Sequence, residues 1–81
     1  MGSKTAKLPD LAGLRETRGL SLHEIARSTN ITIRYLQAIE RGEFEKLPGG
    51  IYTTSYIRQY AEAAGCDQNV LLDRYRGRRI P

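Results

Sequence analysis

The stretch from Ser21 to Gly42 carries so many start and stop signals that its backbone has little choice of structure. Ser21 with Glu24 three residues on forms a capping box, in which hydroxyl and carboxylate each accept an otherwise unpaired N–H of the first helical turn. Leu22, Ile25 and Ala26 then recur at helical spacing in a short helix ending near Ser28. Asn30 stands where a tight turn needs positive φ, which Asn tolerates better than most residues. Thr32 caps the next helix, Ile33, Leu36 and Ile39 face inward along it, and Gly42 ends it. Two short helices joined by about four residues of turn, the second polar on its outer side, make a helix-turn-helix.

The flanks continue in the same style. Pro9 and Asp10 suit a first helical turn, Leu11, Leu14, Arg15 and Arg18 follow at helical spacing, and Gly19 supplies a left-handed terminus. After Gly42 the loop Glu43 to Gly50 holds the breakers Leu47-Pro48-Gly49-Gly50. A fourth helix is predicted from Tyr52 to Ala64, stopped by Gly65, and Asp67 caps a fifth that carries Val70, Leu71 and Tyr75. No stretch alternates as a strand does. The expectation is an all-α, five-helix domain over 8–76, with a polar tail over 1–7 and a basic linker over 77–81. The arginine-rich run from Arg74 to Pro81 reads as solvated.

Eighty-one residues leave room for one domain, and one this small must bury its apolar surface in a compact, locally built core. No apolar run approaches the roughly 20 residues that cross a bilayer as a helix. The lone Cys66 excludes an internal disulfide and, with no secretory signal pattern, points to a cytoplasmic setting. His23 has no companion at metal-ligand spacing, and Cys66 lies in a turn without a histidine partner. With no phosphate-cradling loop and no paired carboxylates, neither a catalytic site, a metal nor a cofactor is expected. Thirteen Lys and Arg against nine Asp and Glu give a formal charge of +4, which favours an anionic partner.

Two sets of residues stand out by position. Glu40 falls on the inner side of the third helix, where a lone carboxylate is costly, and the first helix aims Arg15 and Arg18 along its own apolar face. The three are expected to form a structural ion pair. At about 100° per residue, Leu36 and Ile39 define an inner face and put Arg34, Gln37, Ala38 and Arg41 opposite. These four, with Thr32 and Tyr35, are the candidate DNA contacts: Arg can pair with guanine edges and Gln with adenine, while small Ala38 lets the helix approach the groove. A solvated helix face is the alternative.

The small Ala26 at the helix crossing, Asn30-Ile31-Thr32 in the turn and the Leu36 and Ile39 pair together resemble the phage-repressor, or Xre, type of helix-turn-helix. A wider resemblance runs from Leu14-Arg15-Glu16-Thr17-Arg18-Gly19-Leu20-Ser21-Leu22 through Tyr35-Leu36-Gln37-Ala38-Ile39-Glu40-Arg41-Gly42 to Leu47-Pro48-Gly49-Gly50-Ile51-Tyr52. With Tyr56-Ile57-Arg58-Gln59-Tyr60-Ala61, it is similar to the cytoplasmic N-terminal domain of the RodZ family. That resemblance implies a basic linker and a membrane span beyond the domain, and docking on the actin-like filament protein MreB in cell-shape control. It also implies that aromatics of the fourth helix, Tyr52 and Tyr56, with Arg58 and Gln59 beside them, meet the filament. Tyr56 falls at the edge of that helix's buried stripe and Tyr52 turns outward. An outward Tyr52 that merely packs on Leu47, Pro48 or the fifth helix is the plainer alternative.

Two functions therefore stay open. The first is DNA binding with the third helix as recognition helix, for which a single helix-turn-helix commonly needs a second copy in a homodimer. The second is protein docking through the fourth helix. Against DNA, many DNA-binding relatives hold a backbone phosphate with a Gln at the start of the second helix, where this chain has Leu22, which has no such donor.

Overall fold

The computed structural model describes residues 10–77. They form α1 (Leu11–Thr17), α2 (Leu22–Thr29), α3 (Ile33–Arg41), a 3-10 turn (Phe44–Lys46), α4 (Gly50–Ala64) and α5 (Gln68–Gly77), with no strand among them. The 1–7 tail lies outside the described residues, as do positions 78–81 of the basic linker.

The local signals of the central stretch act as their chemistry requires. The Ser21 Oγ accepts from Glu24 N–H at 3.1 Å while the Glu24 carboxylate accepts from Ser21 N–H at 2.8 Å. Asn30 adopts φ 66°, the only positive value among described non-glycine residues, and turns the chain toward Thr32, whose Oγ1 accepts from Tyr35 N–H. Each cap contributes about 1 kcal/mol. Helices of eight and nine residues are too short to persist alone in water, so packing must hold them.

The packing hub is α4, which lies against both α2 and α5, while the 3-10 turn folds back on α3. Ile25, Leu36, Ile39, Ile57, Tyr60 and Leu71 are essentially shut off from solvent, each aliphatic side chain contributing about 1.5–3 kcal/mol by its burial. Phe44 and Leu47, from the breaker-rich loop, are buried too, and Phe44 meets the edge of the Tyr75 ring at 5.6 Å.

Four sequence expectations need correction. Asp10 is the N-cap of α1, accepting from Gly13 N–H at 3.0 Å, rather than part of its first turn. Helix α4 begins at Gly50, two residues before Tyr52, because the Thr53 hydroxyl accepts from Gly49 N–H at 2.7 Å and organises the entry there. In α5 it is Leu72, not Val70, that joins Leu71 inside; Val70 is 45% exposed, since it borders an open groove between α5 and α1. Arg74 to Gly77, read as solvated linker, is helical, with Arg74 and Tyr75 half-buried, because the Tyr75 ring docks on Phe44.

Candidate binding surfaces

Glu40, inward on α3, is met from two helices at once. Arg15 Nε donates to its Oε2 at 2.6 Å and Nη2 to its Oε1 at 3.4 Å, and the Tyr60 hydroxyl donates to Oε2 at 2.7 Å. A third guanidinium donor, Nη1, reaches the Leu20 carbonyl at 3.0 Å. No buried side-chain polar atom is left without a partner among the described residues. The hydrogen bond to Glu40 raises the Arg15 pKa, and burial, reinforced by the Glu40 carboxylate, pushes the Tyr60 phenol far above its ordinary value.

Arg18, expected beside Glu40, does not reach it. Its side chain is exposed and its Nη2 donates to the Gly65 carbonyl at 3.4 Å, placing positive charge at the C-terminal end of α4. Gly65 itself ends α4 in the left-handed region at φ 78°, where any L side chain is strained. Three residues separate Arg15 from Arg18, and the about 60° between them is enough to send one inward and the other across the helix end. The partner that sequence reasoning missed is Tyr60. Its signal was available: an inward tyrosine needs an acceptor and an inward carboxylate needs donors.

On the outer side of α3, Arg34, Gln37 and Arg41 are exposed and share one arc, with the N-cap Thr32 exposed at its start. Ala38 does not join them, being only 3% exposed. It lies between Arg34 and Tyr35 on the helical circle, and the chain leaving α3 doubles back there, Glu43 N–H donating to the Ala38 carbonyl at 2.9 Å. The apolar Phe44 and Leu47 in the following loop were the sequence sign that this loop would fold inward. Tyr35 is half-buried, packed on the core and on Tyr56 rather than turned to the outer arc.

On α4, Tyr52 is 61% exposed and its ring centroid lies 6.4 Å from that of half-buried Tyr56. Half-buried Gln59 lies about 20° from Tyr52 around the helix and donates from Nε2 to Ser55 Oγ at 3.0 Å. Arg58, grouped with them from sequence, is exposed on another side, about 160° from Tyr56, close to Ile51, which is 80% exposed. The four residues thus divide into a Tyr52, Tyr56 and Gln59 stripe and a separate Arg58.

The remaining reactive side chains offer little. Burial raises the pKa of the half-buried Cys66 thiol, which lowers its thiolate fraction. His23 is exposed, and no group of three His, Cys, Asp or Glu is placed to hold a metal among the described residues. A shallow apolar groove of about 250 Å³ runs between α1 and α5, bordered by Leu14 and Val70 with Cys66 in its wall.

A capped two-helix motif with a left-handed Asn turn, clamped to a long fourth helix through a near-buried carboxylate, defines a helix-turn-helix domain. The chain belongs to the helix-turn-helix domain family, whose model matches residues 10–71, and it is of the RodZ-like kind. Cytoskeleton protein RodZ of Streptococcus pneumoniae is 39% identical over 61 residues, which take in 75% of this chain and 22% of that protein. Uncharacterized membrane protein YmfM of Bacillus subtilis is 39% identical over 57 residues, 70% of this chain and 20% of that protein. The chain thus spans about a fifth of the length of these curated relatives. No solved structure matches it. Among the described residues no helix is long and apolar enough to cross a membrane.

Proposed function

We propose that this is a non-enzymatic docking domain, cytoplasmic in a membrane-anchored protein, that seats α4 on an actin-like filament protein of the MreB kind in cell-shape control. The observation that carries this reading is the Tyr52 ring, 61% exposed and backed by Tyr56 on a helix whose opposite side is core. An exposed aromatic held by a second ring loses little freedom on binding and desolvates a large area, the property of residues that dominate protein interfaces. A relative named for the cytoskeleton and another named as a membrane protein support the setting. Basic residues from Arg74 onward suit a chain approaching a span from the cytoplasmic side. Changing Tyr52 and Tyr56 together to Ala should abolish co-sedimentation with the polymerised filament protein; undiminished binding by a folded double variant removes α4 as the docking element.

A second reading, DNA binding through α3, is favoured by the exposure of Arg34, Gln37 and Arg41 on one arc without an acid among them. It sets a different expectation. Affinity for duplex DNA would fall steeply with salt, and each of Arg34→Ala and Arg41→Ala would lower the slope of log affinity on log salt by about 1. Leu22, half-buried where a phosphate-binding donor would stand, weighs against it.

A further inference from the structure

Leu14 of α1 and Val70 of α5 are left half in water, at 42% and 45% exposure. They border the groove between the two helices, whose other apolar walls, Leu11 and Leu71, are almost fully buried, and which the half-buried Cys66 and Asp67 complete. The remaining large apolar side chains exposed among the described residues are Ile51 and Tyr52, at the start of α4. A domain this small has little core to spare, so whatever covers the groove stabilises the fold.

The start of α1 indicates what that cover is. Asp10 is the N-cap, so Leu11, Ala12 and Gly13 take the first three helical positions and Leu14 the fourth. In a hydrophobic staple the residue before the N-cap packs on that fourth position; here it is Pro9, preceded by Leu8, both outside the described residues. Leu14 N–H donates to the Asp10 carbonyl at 3.0 Å, so the chain enters one turn below Leu14. Two residues reach up to about 7 Å from Asp10, enough to bring Leu8 to a groove that begins at Leu11. Pro9 disfavours helical backbone at the residue before it, which argues against a continuation of α1 upstream. Charge agrees with this. Asp67 is exposed at the rim, its carboxylate held there by Asn69 N–H at 2.9 Å, and the segment leading to Leu8 carries Lys4 and Lys7 and no acid.

We propose that Leu8 and Pro9 close the groove between α1 and α5 as an intramolecular strap, with Leu8 seated between Leu14 and Val70 beside Cys66. A segment tethered two residues away acts at an effective concentration in about the mM range, which favours it over a second copy of the chain. The strap joins α1 to α5 and takes Leu14 and Val70 off the surface. Ile51 and Tyr52 of α4 are then the described large apolar side chains still offered to a partner.

Cys66 is the one thiol of the chain and reports on closure. The test is its rate of reaction with an aromatic disulfide reagent, well below the melting temperature, together with methyl nuclear Overhauser contacts from Leu8 in the parent chain. The parent should react slowly, at a rate independent of protein concentration, and the Leu8 methyls should contact those of Leu14 and Val70. Leu8→Ser should raise the rate about tenfold and lower the melting temperature by a few degrees, since opening the strap uncovers the thiol. If Leu8→Ser reacts as the parent does, or if the parent shows no contact between Leu8 and Val70, the proposal is overturned. Protection that grows with protein concentration, with contacts that mixed labelling shows to be intermolecular, would assign the groove to a second copy and overturn it as well.

Discussion

Tyr56 and Tyr60 lie one turn apart on α4 and both face α3, yet they have opposite fates. The Tyr60 hydroxyl is buried and donates to a carboxylate that Arg15 also holds, so three helices are tied at one oxygen. The Tyr56 ring stacks between Tyr35 and Tyr52 and its hydroxyl is given to no protein group among the described residues. The first tyrosine is spent on holding the fold; the second is left available. Burial of a polar tip is tolerable only with a partner in reach, and α3 offers a carboxylate at Glu40 but, one turn back, only another ring. One helix can therefore serve as hub and as surface if its polar and aromatic partners are sorted along its length.

The largest break in this contrast is Glu40→Ala. It leaves the Arg15 guanidinium near-buried with only the Leu20 carbonyl, and Tyr60 without an acceptor. Removing one partner of such a pair costs about 3 kcal/mol or more, enough to lower the melting temperature of a domain this size by on the order of 10 to 20 °C. The arc of Arg34, Gln37 and Arg41 should be unaffected in the folded fraction. An unchanged melting temperature would show that the network adds nothing to stability.

Tyr60→Phe comes next, with a cost of about 1–2 kcal/mol for a lost hydrogen bond to a charged acceptor. It also has a pH signature. Burial, then Glu40, raises the Tyr60 pKa in the fold, so between the ordinary phenol value of about 10 and the raised one the unfolded chain has lost a proton that the folded chain keeps. Stability contributed by the neutral phenol is thus fully present below about pH 10 and is lost as pH climbs beyond it. In denaturant titrations the gap between parent and Tyr60→Phe should be constant below that pH and narrow above it. A gap that widens there would give the wrong sign and refute the assignment.

Sequence made one part of this plain and hid the other for a physical reason. Capping box, Asn30 and Gly42 are local devices whose partners lie within a few residues, so Ser21 to Gly42 could be read directly. Glu40 needed a partner from elsewhere in the chain, and helical periodicity supplied Arg15 correctly and Arg18 wrongly, because about 60° on a helix does not resolve which of two long side chains turns in. The Tyr60 bond spans twenty residues and depends on the α3 and α4 crossing, which no periodicity encodes. Ala38 was misplaced for a related cause: its position on the helical circle is intermediate, and the returning 3-10 turn decided its burial. On α4 the outward turn of Tyr52 was legible from the wheel, whereas the stacking of Tyr56 on Tyr35 depended on the same unencoded crossing.

The smallest effect on the fold is the one that sharpens the contrast most. Tyr56→Phe removes the same atom as Tyr60→Phe, one turn earlier on the same helix, but from a hydroxyl that no protein group uses. Its ring contacts with Tyr35 and Tyr52 remain, so stability should change by less than about 0.5 kcal/mol, with no alkaline limb separating it from the parent. A loss comparable to that at Tyr60 would mean that the Tyr56 hydroxyl is in fact engaged, and the division of α4 into a holding turn and an available turn would collapse. Near-parental stability with weakened filament binding would instead assign the hydroxyl to the partner, since an atom that contributes nothing to the fold can weaken binding only by a contact made in the complex.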